Sequence, residues 1–173
     1  EKKEILKKWF EYLPRDIKTA LDIGSNTGDF SFLLSERGVS AVAVDTDAVC
    51  IERLYRHVIE TGEKNILPLV SDFANPAPGI GINNEERPSF ISRVRPDLSL
   101  ALAVIHHLAI GRNIPLNLIA EMFANQTCKK LIIEFVPLSD EKTKILLKAK
   151  EITFDKYTEE NFLLAFLKYF EVA

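Results

Sequence analysis

Two cysteines, one tryptophan, one methionine and seven glycines are all that the 173 residues hold of these types. Cys50 and Cys128 sit in separate segments without CxxC spacing, which argues against a disulfide framework or a cysteine-based metal site. Free, buried or semi-buried thiols in a reducing compartment are expected, and no metal. No apolar run approaches the roughly 18 residues of a membrane span. Glu1-Lys2-Lys3-Glu4 is not followed by the apolar stretch of a secretory signal, so a cytoplasmic protein with no membrane partner is expected. An excess of one charge is also missing. Lys and Arg number 22 against 25 Asp and Glu, a net charge of −3, so nucleic acid is disfavoured as a partner except through some local basic patch. What remains is ordinary for a globular chain: 47% hydrophobic and 27% charged residues, enough for one domain spanning residues 1–173. Nothing in the pattern sets an oligomeric state.

Residues 1–17 open with an amphipathic helix over Glu1–Leu13. Ile5, Leu6, Trp9, Phe10 and Leu13 share a face, Lys2, Lys3, Lys7 and Lys8 occupy the solvated one, and Pro14 ends it. Short apolar strands then alternate with longer helices. Strands are expected at 19–23, 41–44, 66–70, 98–105 and 130–136, and helices at 28–37, 47–61, 115–125, 140–150 and 158–169. Asp47 reads as the N-cap of the second of these helices. The βαβ order predicts an α/β fold, a Rossmann-like parallel sheet with helices on both faces. Ligands in such sheets bind at the carboxyl ends of the strands. Ala74–Pro96 breaks the rhythm with four prolines, two glycines and a short helical patch near Ser89–Val94, and reads as a lid-like insertion in which Arg87 could meet an anionic group.

Between the first strand and helix lies Leu21-Asp22-Ile23-Gly24-Ser25-Asn26-Thr27-Gly28. A glycine turn there lets backbone approach a ligand closely. The dinucleotide pattern G-x-G-x-x-G is not met, because Asn26 and Asp29 replace two of its glycines, and Asp29 would repel a pyrophosphate. Asp22 instead suits a cation such as an amino-acid ammonium. Asp45 ends the second strand, where a carboxylate can accept from a ribose diol. Asp72 and Phe73 follow the third, where an acid can accept from an adenine amino group. The segment resembles motif I of class I S-adenosylmethionine-dependent methyltransferases. The resemblance implies S-adenosyl-L-methionine as cofactor, S-adenosyl-L-homocysteine as product, and Asp22, Gly24, Ser25, Asn26, Gly28, Asp45, Thr46, Asp72, Phe73 and Ala101 as cofactor-binding positions.

The fourth strand begins at Asp97 and closes on Ile105-His106-His107, which resembles motif IV of many small-molecule methyltransferases. Motifs typical of nucleic-acid amino, cytosine-C5 and ribose 2′-O enzymes are missing. A base is needed only where the acceptor must lose a proton, and His106 and His107 are the candidates, His106 first. Glu134 interrupts an apolar fifth strand, and a carboxylate there is costly unless it is paired or faces a substrate. His57 reads as a surface residue. Residues 84–89, the His-His strand and Glu134-Phe135-Val136-Pro137 together resemble a bacterial subgroup that includes nodulation-type methyltransferases. A small-molecule acceptor is the first expectation. An RNA or protein acceptor, a nicotinamide-dependent oxidoreductase sharing Asp45, and a cofactor-binding module without catalysis are the rivals. A class I core would add an antiparallel C-terminal strand hairpin, of which only Phe170–Ala173 suggests a beginning. An open edge on the fifth strand is therefore expected, and with it lower stability or self-association.

Overall fold

The structure is a computed structural model that describes residues 2–127, 129–148, 150 and 153–172. Cys128 and Ala173 lie outside the described residues, as does part of the helix expected over 140–150. Five strands form one parallel sheet in the order β3-β2-β1-β4-β5: β1 (Thr19–Ile23), β2 (Ser40–Asp45), β3 (Ile66–Val70), β4 (Leu98–Ala101) and β5 (Lys130–Ile133). The order reverses between β1 and β4, which opens a crevice at their carboxyl ends.

Side chains alternate across the sheet, so each strand feeds both layers. Ala20, Ala41, Leu98 and Leu100 face α1 (Lys2–Glu11) and α2 (Asp29–Ser35), whose Leu6, Phe10, Leu33 and Leu34 complete one core. Ala43 continues that face under Ile51, Leu54 and Val58 of α3 (Ala48–Thr61). Leu21, Ile23, Val44 and Ala101 face the other way. There they meet Phe90 of the short α4 (Phe90–Arg93), Ile119 and Phe123 of α5 (Leu116–Gln126), and Phe162 and Phe166 of α7 (Glu159–Phe166). Helix α6 (Glu141–Lys148) packs on a π-helical turn at His107–Gly111.

Two strands are shorter than the apolar runs suggest. β4 ends at Ala101 rather than Ile105, because Ala103 adopts a left-handed φ of 55° and the chain turns into the π-helical segment. β5 ends at Ile133, so Glu134 follows the strand instead of interrupting it. Residues 170–172 form no strand, and β5 has a strand neighbour on one side only among the described residues. The insertion is ordered by a bridge between Ile80 and Arg87, by burial of Phe90, and by Arg95 Nη1 donating to the Asn125 carbonyl at 2.9 Å. Asp47 caps α3 as expected, accepting from the amides of Val49 (2.8 Å) and Cys50 (3.3 Å). No described helix is long and apolar enough to cross a membrane.

Candidate active site

Local sequence builds the turn after β1. Gly24 has φ +71° and Gly28 φ +83°, backbone that favours glycine. Space enforces the same choice, since a Cβ on Gly28 would lie 2.4 Å from Leu54 Cδ1 and one on Gly24 2.8 Å from Val104 Cγ2. The amides of Gly24 and Ser25 both donate to the Val44 carbonyl, at 2.9 and 3.0 Å, which anchors the turn to β2. Asn26 adopts φ 50°, a left-handed conformation that asparagine tolerates, and so stands in for the commoner glycine.

Asp22 is buried and accepts from the Ser31 hydroxyl of α2 at 2.6 Å. Burial raises its carboxyl to about 6; the Ser31 bond opposes that shift and the charge of Asp45 adds to it. The Ser25 hydroxyl is buried with no hydrogen-bond partner among the described residues. Asp45 accepts from the amides of Asn26 and Asp47, each at 2.9 Å, which ties the tip of β2 to the glycine turn. A carboxylate has about four lone-pair sites, so two amides leave room for a diol. Thr46 is exposed beside it. Asp22 and Asp45 thus stand on adjacent strands of one rim.

Asp72 lies beyond β3 with different partners. Its Oδ1 accepts from the Ala74 amide at 2.9 Å, and its Oδ2 pairs with Arg112 Nη2 at 2.6 Å. The Phe73 ring is buried against Phe123, centroids 5.1 Å apart, which leaves the backbone of Phe73 for the rim. The Ala101 carbonyl, at the end of β4, accepts from the Glu134 amide at 3.1 Å.

The two histidines separate sharply. His106 is 1% exposed, and neither ring nitrogen has a partner among the described residues. His107 is exposed, with its ring centroid 4.2 Å from that of His106. Desolvation lowers the pKa of both, to about 4 for His106, where the neighbouring His107 adds to the effect, and the charge of Asp45 partly offsets it for His107. Glu134 is half-buried and pairs with Lys2 at 2.7 Å, while Lys3 pairs with Asp29 at 2.7 Å. The amino end of α1 is thereby tied to the rim at two points, where the sequence suggested only a solvated lysine face. His57 is exposed, its ring tilted at 60° to that of Phe32 with centroids 4.8 Å apart. Asp97 lies at the opposite, amino edge of the sheet. It accepts from the amides of Lys18 (2.8 Å) and Thr19 (3.0 Å), which with Lys129 hold its carboxyl down to about 2.

Ser31 and Arg112 are partners that residue patterns did not single out. Ser31 had a faint signal, a hydroxyl one turn inside the helix after the glycine turn; Arg112 had none, being 40 residues from Asp72. A cavity of about 650 Å³ lies away from the glycine turn, between Ile114–Asn117 and the Phe154–Tyr157 and Leu164–Lys168 stretches. None of the three acids lines it. Among the described residues no group of three His, Cys, Asp or Glu could hold a metal ion.

No family model matches the chain. Over 151 residues, 86% of its length, it is 42% identical to the nodulation protein NoeA of Rhizobium meliloti (strain 1021), and it spans 31% of that protein. The bifunctional kinase–methyltransferase WbdD aligns over 91% of the chain and 31% of its own length, with TM-score 0.59 and 15% identity. Its monomeric form gives TM-score 0.64 at 15% identity, covering 91% of the chain and 35% of WbdD. The StiE O-MT segment gives 0.55 at 18% identity, over 86% and 48% of the two chains. Identities this low speak to architecture alone. With its β3-β2-β1-β4-β5 parallel sheet and a glycine turn at the point where strand order reverses, the chain has the fold of the class I S-adenosylmethionine-dependent methyltransferases.

Proposed function

We propose that the chain binds S-adenosylmethionine across the tips of β1–β3 and transfers its methyl group to an acceptor, most simply a small molecule, held over the tips of β4 and β5. The observation that carries this reading is the turn from Gly24 to Gly28. There a buried acid, a buried hydroxyl unpartnered among the described residues and a second acid on the neighbouring strand gather around backbone that leaves no room for a Cβ at Gly24 or Gly28. These residues fit the cofactor. Asp22, held near 6 by burial, would ionise against an α-ammonium group. Ser25 would find its missing partner in a carboxylate, with Gly24, Asn26 and Gly28 supplying close backbone. Asp45 and Thr46 would take the ribose hydroxyls, Asp72 and the Phe73 backbone the adenine edge, and Ala101 would floor the site.

The bound cofactor would supply an electrophilic methyl group on a sulfonium, leaving as S-adenosylhomocysteine. The protein's task is then alignment, which can contribute roughly 7–11 kcal/mol. His106, His107 and Glu134 stand at the acceptor end. Calorimetric titration with S-adenosylhomocysteine and with NAD tests the reading. Micromolar binding of the first and none of the second is expected; NAD binding without a response to S-adenosylhomocysteine overturns it.

A further inference from the structure

The cavity between α5 and α7 belongs to a different part of the molecule from the glycine turn. No residue assigned to the cofactor lines it, and neither do His106, His107 or Glu134. Its volume of about 650 Å³ lies within the roughly 300–1,000 Å³ of small-molecule sites. The segments around it are held by bonds of their own. Lys150 Nζ donates to the Gly111 carbonyl at 3.1 Å and to Asn113 Oδ1 at 3.3 Å, which ties the loop before α5 to the stretch before α7. The Tyr157 amide donates to the Phe154 carbonyl at 2.8 Å, and Thr158 caps α7, accepting from the Asn161 amide at 3.2 Å.

Two chemistries meet in this space. Leu116, Phe154 and Leu164 line it with apolar surface, and water reaches all three, Leu164 most of all at 57% exposure. A hydrocarbon group laid on them removes that surface from water. Lys156 and Lys168 bring positive charge to the same space. Of the described residues lining it, Asp155 alone carries a carboxylate, which already accepts from the Thr153 hydroxyl at 3.1 Å. The first turn of α5 also opens here, where Pro115 supplies no side-chain cap and the helix dipole is positive.

We infer that this cavity is a second binding site, which takes a small amphiphile with an apolar body and one anionic head. The body lies against Leu116, Phe154 and Leu164, and the head meets Lys156 and Lys168. A cation of the same shape would face two like charges, and a small hydrophilic anion would leave the apolar lining wet. Ala109 in the wall belongs to the π-helical turn that begins at His107, so the occupant lies against the segment leading from the rim. Such a site requires nothing of the cofactor turn and is present whatever the turn binds.

Calorimetric titration of the parent chain with octanoate tests the site, with octyltrimethylammonium and acetate as comparisons. Octanoate should bind at about 1 mM or tighter, and the other two at least about tenfold more weakly. Lys156→Gln and Lys168→Gln should each weaken octanoate about threefold, the scale of an exposed charge pair. Leu164→Gln should weaken it about threefold through lost apolar contact. All three side chains are exposed, so unfolding temperatures should stay within about 2 °C of the parent. Equal binding of octanoate and octyltrimethylammonium overturns the inference, because the lysines then do not choose the ligand. So does octanoate binding that none of the three substitutions weakens, which puts the ligand elsewhere. No heat from octanoate at about 10 mM overturns it outright. Should a variant unfold, the contrast between the two head-group charges in the parent chain still decides.

Discussion

The two halves of the carboxyl rim are built on opposite principles. At the tips of β1 and β2, main chain does the work: Asp45 is held by two backbone amides, the turn hangs from Val44, and glycines bring the backbone close. At the tips of β4 and β5, side chains from distant segments decide the geometry. Lys2 reaches Glu134 across 132 residues, the Tyr157 hydroxyl bonds the Val136 carbonyl at 2.8 Å, and α6 packs on the turn beside a histidine that bonds nothing among the described residues. The first half is a cradle of backbone, and on our reading it holds the cofactor. The second carries a buried polar ring, that of His106, with no partner among the described residues, whereas most buried polar groups are hydrogen-bonded.

Substitutions can separate the halves, and Asp45→Ala has the largest expected effect. It removes the acceptor for Asn26 and, on our reading, two charge-assisted bonds to ribose of about 1.5–3 kcal/mol each. Calorimetry should show S-adenosylhomocysteine affinity falling at least 100-fold; a loss under threefold would mean that the cradle holds something else.

Acid titration tests both halves at once. Asp22 has its pKa raised in the fold, from 3.8 to about 6, so its stabilising contribution is full below 3.8 and is lost as pH rises through 6. His106 has its pKa lowered, from 6.5 to about 4, so its contribution is full above 6.5 and is lost as pH falls through 4. Each is worth roughly 3 kcal/mol, and the slopes oppose one another between pH 4 and 6. Urea unfolding of the parent chain should vary little from these two groups in that window. Asp22→Asn should expose the His106 slope as a steady loss of stability from pH 6.5 to 4, and a flat profile would deny that His106 is buried neutral.

Glycine substitutions sharpen the picture of the cradle. Gly38 has φ +74° and nothing within 4 Å of the place a Cβ would take, so Gly38→Ala should cost only the conformational penalty of about 1 kcal/mol. Gly28→Ala adds a clash with the fully buried Leu54, whose displacement would disturb the packing under α3, and should cost about 1–3 kcal/mol more. Equal losses in chemical denaturation would show that packing against α3 does not shape the turn. The smallest effect belongs to Lys2→Ala. Its pair with Glu134 is partly exposed, and its removal should change stability by less than about 1 kcal/mol. A larger drop would make the amino end of α1 a structural part of the β5 tip.

How much could be read without coordinates follows the same division. The alternation of strands and helices, the α3 cap at Asp47 and the glycine turn were legible because each depends on residues within a few positions of one another. Apolar runs overstated β4 and β5, since an apolar residue buried beyond a strand end looks the same in sequence as one inside it. Of the three acids, Asp22 and Asp45 stand where strand spacing placed them, whereas the Arg112 pairing of Asp72 could not be foreseen.

By itself the amino-acid sequence determined a parallel α/β sheet and the place where its chain turns tightly, because strand period, capping and left-handed backbone are local properties. Only the tertiary structure decided which of two adjacent histidines is buried, that Glu134 is claimed by Lys2, and that Asp72 already has a cation. Burial and ion pairing are set by whichever distant segments arrive at a site, and no short stretch of chain carries that information.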